Sequence, residues 1–235
     1  MTGPFSGDPM GQKKLIVERK GCSMIPLVAE NDINILHAIG KCRVASSLQL
    51  SSLLSIKQRS AKKSLIRLFS LGYVDKLHIE RTPPLYKLGK GGEILLKDKV
   101  YKQLEINTLM ALKYAASTQL YVQFYKYFGD SVSYRTIGAD SIIAEIILKR
   151  SQYIIVVPRI WSGSEEEIKA AEIIEDIDDK IIIVAGSKEQ AEKIARIQKG
   201  KENAVRYTWD GILKDGLAFY KKSGNILIES ERFRT

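Results

Sequence analysis

The chain has 235 residues, 45% of them hydrophobic and 27% charged, ordinary values for a soluble globular protein with one large core or two modest ones. No run of about 18 apolar residues marks a membrane span, and the opening MTGPFSGDPMGQKK lacks the pattern of a secretory signal. Two cysteines and two histidines give neither a disulfide framework nor a zinc spacing, so a cytoplasmic location and no cofactor are expected. The net charge of +10 is uneven: residues 1–105 carry 18 Lys and Arg against 9 Asp and Glu, residues 106–235 carry 19 against 18. A basic half beside a neutral one suggests a polyanionic partner.

Residues 1–25, rich in Gly and Pro at their start, read as a disordered lead-in. From Pro26 the stretch PLVAENDINILHAIG predicts a helix capped by Asn31 or Asp32, with Ile33, Leu36 and Ile39 on one face and Gly40 as its stop. Ser46 or Ser47 opens a second, short helix in SSLQLSSLLS. A third follows in IKQRSAKKSLIRLFSLG, where Ala61, Leu65, Leu68 and Leu71 form an apolar stripe and Gly72 ends the helix. Tyr73–Ile79 and Leu85–Leu88 alternate as strands about the turn Arg81-Thr82-Pro83-Pro84. Three helices and a hairpin over 26–92 predict a winged helix-turn-helix.

Residues 93–128 read as a helical joint that breaks near Glu105–Asn107 and could serve as a dimer helix. Beyond Gly129 the texture changes. Strand candidates Ser141–Leu148, Tyr153–Ile160, Lys180–Ala185 and Ala204–Thr208 alternate with helices at Glu165–Ile177, Ser187–Lys199 and from Asp210, with a tail from Ile226 as a possible edge strand. This pattern predicts an α/β domain over 129–235 with a largely parallel sheet, and thus an α+β protein of two domains.

The third helix carries the candidate chemistry. In a helix-turn-helix this element enters the major groove and offers its N-terminal side chains to base edges. Gln58, Arg59 and Ser60 can read bases, Arg by a bidentate pair with guanine and Gln with adenine. Lys57, Lys62, Lys63 and Arg67 suit phosphates, which supply salt-sensitive affinity without sequence information. In the wing, Lys76, His78 and Arg81 can reach a flanking phosphate or the minor groove. A purely protein-binding winged helix is the competing reading of the same surface.

The second domain offers weaker catalytic signals. Val184-Ala185-Gly186-Ser187-Lys188 joins strand to helix without the glycines of a phosphate loop. No histidine lies beyond position 78 for a hydrolase triad. A metal-dependent nuclease needs clustered carboxylates; Asp140 and Glu145 are the candidates, but the next strand offers Arg159 where an acidic ligand would be wanted. The domain therefore reads as catalytically inactive, with a Mg²⁺-dependent nuclease as the alternative.

With these elements in order, the chain resembles the replication-relaxation family of plasmid and mobile-element proteins over roughly residues 26–200. The features are the helix-turn-helix Asp32–Gly72, the exit Tyr86-Lys87-Leu88-Gly89, Leu104-Glu105-Ile106-Asn107 at the joint helix, and Gly138-Ala139-Asp140 before an apolar strand. The resemblance implies a restriction-endonuclease-like second domain. It also implies a DNA-binding role in replication, mobilisation or transcriptional control. A homodimer with residues 93–128 as its seam, a protein partner for the α/β domain, and no membrane association complete the expectations.

Overall fold

A computed structural model of the chain describes residue 5 and residues 13–22, 29–96, 106–139, 142–160 and 165–233. They form a mixed protein of helices and sheets in two compact units, one of Lys13–Thr118 and one of Gln119–Thr235 with Phe5. Among the described residues no helix is long and apolar enough to cross a membrane.

The first unit contains β1 (Leu15–Glu18), α1 (Glu30–Cys42), β2 (Ala45–Ser46), α2 (Ser47–Leu53), α3 (Gln58–Ser70), β3 (Val74–Ile79), β4 (Leu85–Leu88), α4 (Lys90–Leu96) and the start of α5 (Thr108–Phe128). Its antiparallel sheet has the order β1-β3-β4-β2. Leu15–Glu18 thus corrects the disordered lead-in expected over 1–25. Leu15 and Val17 turn inward, and the strand pairs residue by residue with Lys76–Ile79. Four alternating residues are too few to stand out in a sequence window.

α1 starts at Glu30, with Ala29 rather than Asn31 or Asp32 at its N-cap. Its buried face is Ile35, Leu36 and Ile39; Ile33 is exposed, and Asp32 takes a fully buried place instead. Gly40 lies inside the helix, which ends at Cys42 before Arg43 turns the chain at φ +66°. α2 starts as expected. Ser46 Oγ accepts from Gln49 N and Gln49 Oε1 accepts from Ser46 N, a capping box. The buried Gln49 also donates to Ala115 O of α5, and Thr118 Oγ1 donates to Val44 O, which fixes α5 against α2 and its approach. α3 buries Ala61, Ser64, Leu65 and Leu68, and Gly72 at φ +75° closes it, with Tyr73 N donating to Leu68 O.

The second unit continues α5 and then runs β5 (Val132–Ala139), β6 (Ile142–Leu148), β7 (Ser151–Val156), α6 (Glu166–Asp176), β8 (Lys180–Ala185), α7 (Lys188–Ile197), β9 (Val205–Trp209), α8 (Asp210–Asp215), β10 (Leu217–Ser223) and β11 (Ile226–Phe233). The seven strands lie in the order β11-β10-β9-β8-β7-β6-β5. Only β7 with β8 and β8 with β9 run parallel; the other neighbours are antiparallel, which corrects the largely parallel sheet expected. The reason lies in the connections. Parallel neighbours need crossovers of a dozen residues or more, which α6 and α7 supply. Lys149–Arg150 and Gly224–Asn225 are two-residue turns, so they can join only antiparallel strands. β5 and β10 were not foreseen, whereas β11 is the edge strand anticipated from Ile226.

Ala170, Ile174, Ala191 and Ile194 of α6 and α7 cover one face of the sheet, against Ile154, Ile181, Ile183, Val205 and Tyr207. On the other face Phe124 of α5 meets Phe219 with ring centroids 5.8 Å apart, and Tyr121 stacks on Tyr134 at 4.5 Å. From Ala111 to Phe124 every α5 residue except the half-buried Gln119 is buried. These side chains are core residues, and the less buried positions of α5 lie at its two ends.

Where β7, β8 and β9 end, Arg159 is fully buried. It donates to Pro158 O and Val184 O at 2.9 Å, and lies 3.0 Å from Asp210 Oδ1. Burial pushes the Asp210 carboxyl up to about 6 despite the attraction of Arg159. The folded state therefore holds a proton on Asp210 at pH values where the unfolded chain has already lost it. This contribution to stability is complete below about pH 4 and is lost as pH rises through about 6. Urea melts of wild type and Asp210→Asn across pH 4–7 should show wild type losing stability relative to the variant over that window. A pH-independent difference would contradict it.

Candidate nucleic-acid interface

The helical pair α2–α3 is joined by a tight turn: Ser55 adopts φ +53° and Ile56 N donates to Ser51 O at 3.0 Å. Lys57 stands at the N-cap of α3 without a side-chain cap, and the first turn holds no acidic residue. Cations at a helix N-terminus oppose the helix dipole, so Lys57 and Arg59 do not serve the stability of their own helix. Lys57, Gln58, Arg59, Ser60, Lys62, Lys63 and Arg67 are all exposed. Among the described residues no carboxylate lies within ion-pair distance of Lys57, Arg59, Lys62 or Lys63.

Helical geometry sorts these side chains. At about 100° per residue, Arg59, Lys63 and Ile66 fall within about 40° of the direction opposite the buried Ala61, Ser64, Leu65 and Leu68, with Lys62 to one side of them. Gln58 and Ser60 flank this stripe on opposite sides.

Arg67 behaves differently. Its guanidinium lies 2.5 Å from Oδ2 of Asp32, whose carboxylate is fully buried. The partner is a residue of α1, so the ion pair ties α1 to α3. Two wing residues are also engaged. Glu18 of β1 lies 2.6 Å from His78 Nε2 and 4.0 Å from Lys76 Nζ. Arg81 stands at the turn with φ +59°, 84% exposed, and lies 3.4 Å from the neighbouring Glu80.

The exit Tyr86-Lys87-Leu88-Gly89 also has a local explanation. Lys87 Nζ pairs with the buried Asp75 at 2.9 Å, and a Cβ at Gly89 would meet Asp75 Oδ1 and Gly72 O at 3.0 Å. Sequence reasoning missed Glu18, Asp32 and Asp75 as the acids that hold these cations. Asp32 alone carried a signal, as a carboxylate on the apolar face of an amphipathic helix.

In the second unit, Glu145 is buried, with Arg135 Nε at 2.7 Å and Gln152 Nε2 donating at 3.1 Å. Arg159 is engaged with Asp210, and Asp140 lies outside the described residues. Among the described residues no three His, Cys, Asp or Glu gather as metal ligands. At the start of α7, Ser187 Oγ accepts from Gln190 N and Gln190 Oε1 accepts from Gly186 N, so backbone amides that a phosphate would use are bonded internally. Compared with known proteins, the chain matches no family model, no curated protein and no solved structure.

Truncating Arg67 would leave a buried carboxylate without its cation. We expect Arg67→Ala to destabilise the first unit by about 1–3 kcal/mol, measured by thermal melting, with recovery in Asp32→Leu/Arg67→Ala. Unchanged stability in the single variant would contradict the pairing.

Proposed function

We propose that the chain binds duplex DNA, with Lys13–Thr118 acting as a winged helix-turn-helix and α3 as the helix that enters the major groove. The observation that carries this reading is the outer face of α3. Three cations without carboxylate partners among the described residues, Arg59, Lys62 and Lys63, stand together on it, with Lys57 at the N-cap, on a helix whose opposite face is anchored by Ala61, Leu65 and Leu68. Unneutralised Lys and Arg on one exposed helix are suited to displacing the counterions of a polyphosphate. A rigid helix sets them at a spacing that fits a groove. Order and pairing in β3–β4, with β2 on its far side, agree with the wing of such a domain.

Within this reading Arg59, Lys62 and Lys63 face the groove floor, with Gln58 and Ser60 at its walls. Lys57 and the tip residue Arg81 meet flanking phosphates, while Lys76 and His78 contribute less because Glu18 offsets them. The second unit has the order α5-β5-β6-β7-α6-β8, consistent with a restriction-endonuclease-like scaffold without catalysis. The resemblance to replication-relaxation proteins supports a role on a plasmid or mobile element, in replication, mobilisation or transcriptional control.

Fluorescence anisotropy with a labelled random-sequence duplex across a salt series tests the reading. We expect binding that weakens steeply with salt. Lys57→Ala should lower affinity equally for all duplexes and reduce the salt slope by about one. Arg59→Ala should lose about tenfold or more on a preferred duplex and less on random DNA. Absence of salt-dependent binding at physiological ionic strength would overturn the proposal in favour of a protein-binding module.

A further inference from the structure

Resting on the DNA-binding reading, we infer that Ile66 is a specificity-determining residue that contacts the 5-methyl group of a thymine in the major groove. Its side chain is 63% exposed, the most exposed of the large hydrophobic residues in α3. Isolated exposed isoleucines are common on protein surfaces, but the setting of this one is particular. Arg59, Lys62, Lys63 and Ile66 occupy positions i, i+3, i+4 and i+7, a single stripe opposite the buried Ala61, Leu65 and Leu68. Residues at this spacing on a recognition helix reach successive base edges.

A branched aliphatic side chain in that stripe has no hydrogen bond to offer. The apolar feature that the major groove presents is the thymine methyl. The cations of the stripe bring the helix to the duplex, and Ile66 joins Arg59 in choosing among sequences. This division differs from one in which only the first turn of α3 reads bases. It moves part of the specificity two turns along the helix.

The test begins with selection of preferred duplexes from a randomised pool by the full chain. Each thymine in the selected site is then replaced singly by uracil, which removes only the methyl group. For wild type, one such replacement should weaken binding about fourfold, the effect of one buried methyl group. Ile66→Ala should lose a similar factor on the thymine duplex and nothing further on the uracil duplex; Ile66→Val should fall between. Because the side chain is exposed, the variants should melt as wild type does.

Binding without sequence preference would overturn this assignment while leaving DNA binding intact. So would insensitivity of wild type to every thymine-to-uracil replacement, or an Ile66→Ala loss that is the same on both duplexes. Failure to bind any duplex would overturn both readings at once.

Discussion

The arrangement of charge in the first unit rests on where its carboxylates fall. Asp32, buried in α1, takes Arg67; Asp75, buried in β3, takes Lys87 and approaches Arg19; Glu18 lies between Lys76 and His78. Each pair joins two elements, α1 to α3, β3 to β4, and β1 to β3. A buried ion pair is weak evidence for stability, since desolvation opposes the Coulomb attraction. It does fix which cations remain free. Those on the outer stripe of α3 have no such partner among the described residues, so the helix presents positive charge that no carboxylate offsets.

The charge on α3 is unfavourable to its own N-terminus. A helix selected only for stability places acids in its first turn, as α1 does with Glu30 and Asp32 and α6 with Glu166 and Glu167. α3 has Gln58, Arg59 and Ser60 there, following Lys57. Local departures from the stabilising pattern concentrate at working surfaces, and this one coincides with the only apolar residue, Ile66, that the outer stripe displays.

The second unit follows a different logic. Its sheet is covered on one face by α6 and α7 and on the other by α5, and several of its buried polar groups are tied to one another. Arg159 holds the ends of three strands, Glu145 is held by Arg135 and Gln152, and Gln190 closes the turn before α7. These contacts engage Glu145 and Arg159 and close the turn before α7.

The sequence by itself determined the local elements whose causes are local. The capping box at Ser46 and Gln49, the apolar stripe of α3, its arrest at Gly72 and the hairpin about Arg81–Pro84 each depend on side chains within a few residues of one another. Their period or chemistry is visible along the chain. The exposed cations of α3 were legible for the same reason, because the stripe that anchors the helix also defines its outer face. Tertiary structure alone decided the pairings. Arg67 and Asp32 are 35 positions apart and His78 and Glu18 are 60 apart, so no window of sequence could match them. The direction of β5, β6 and β10 followed from turn length and sheet order rather than from hydrophobic pattern, since parallel and antiparallel strands bury much the same side chains. Which residues of α5 are buried likewise depended on what packs around them, because an aromatic-rich helix has no single apolar stripe to read along the chain.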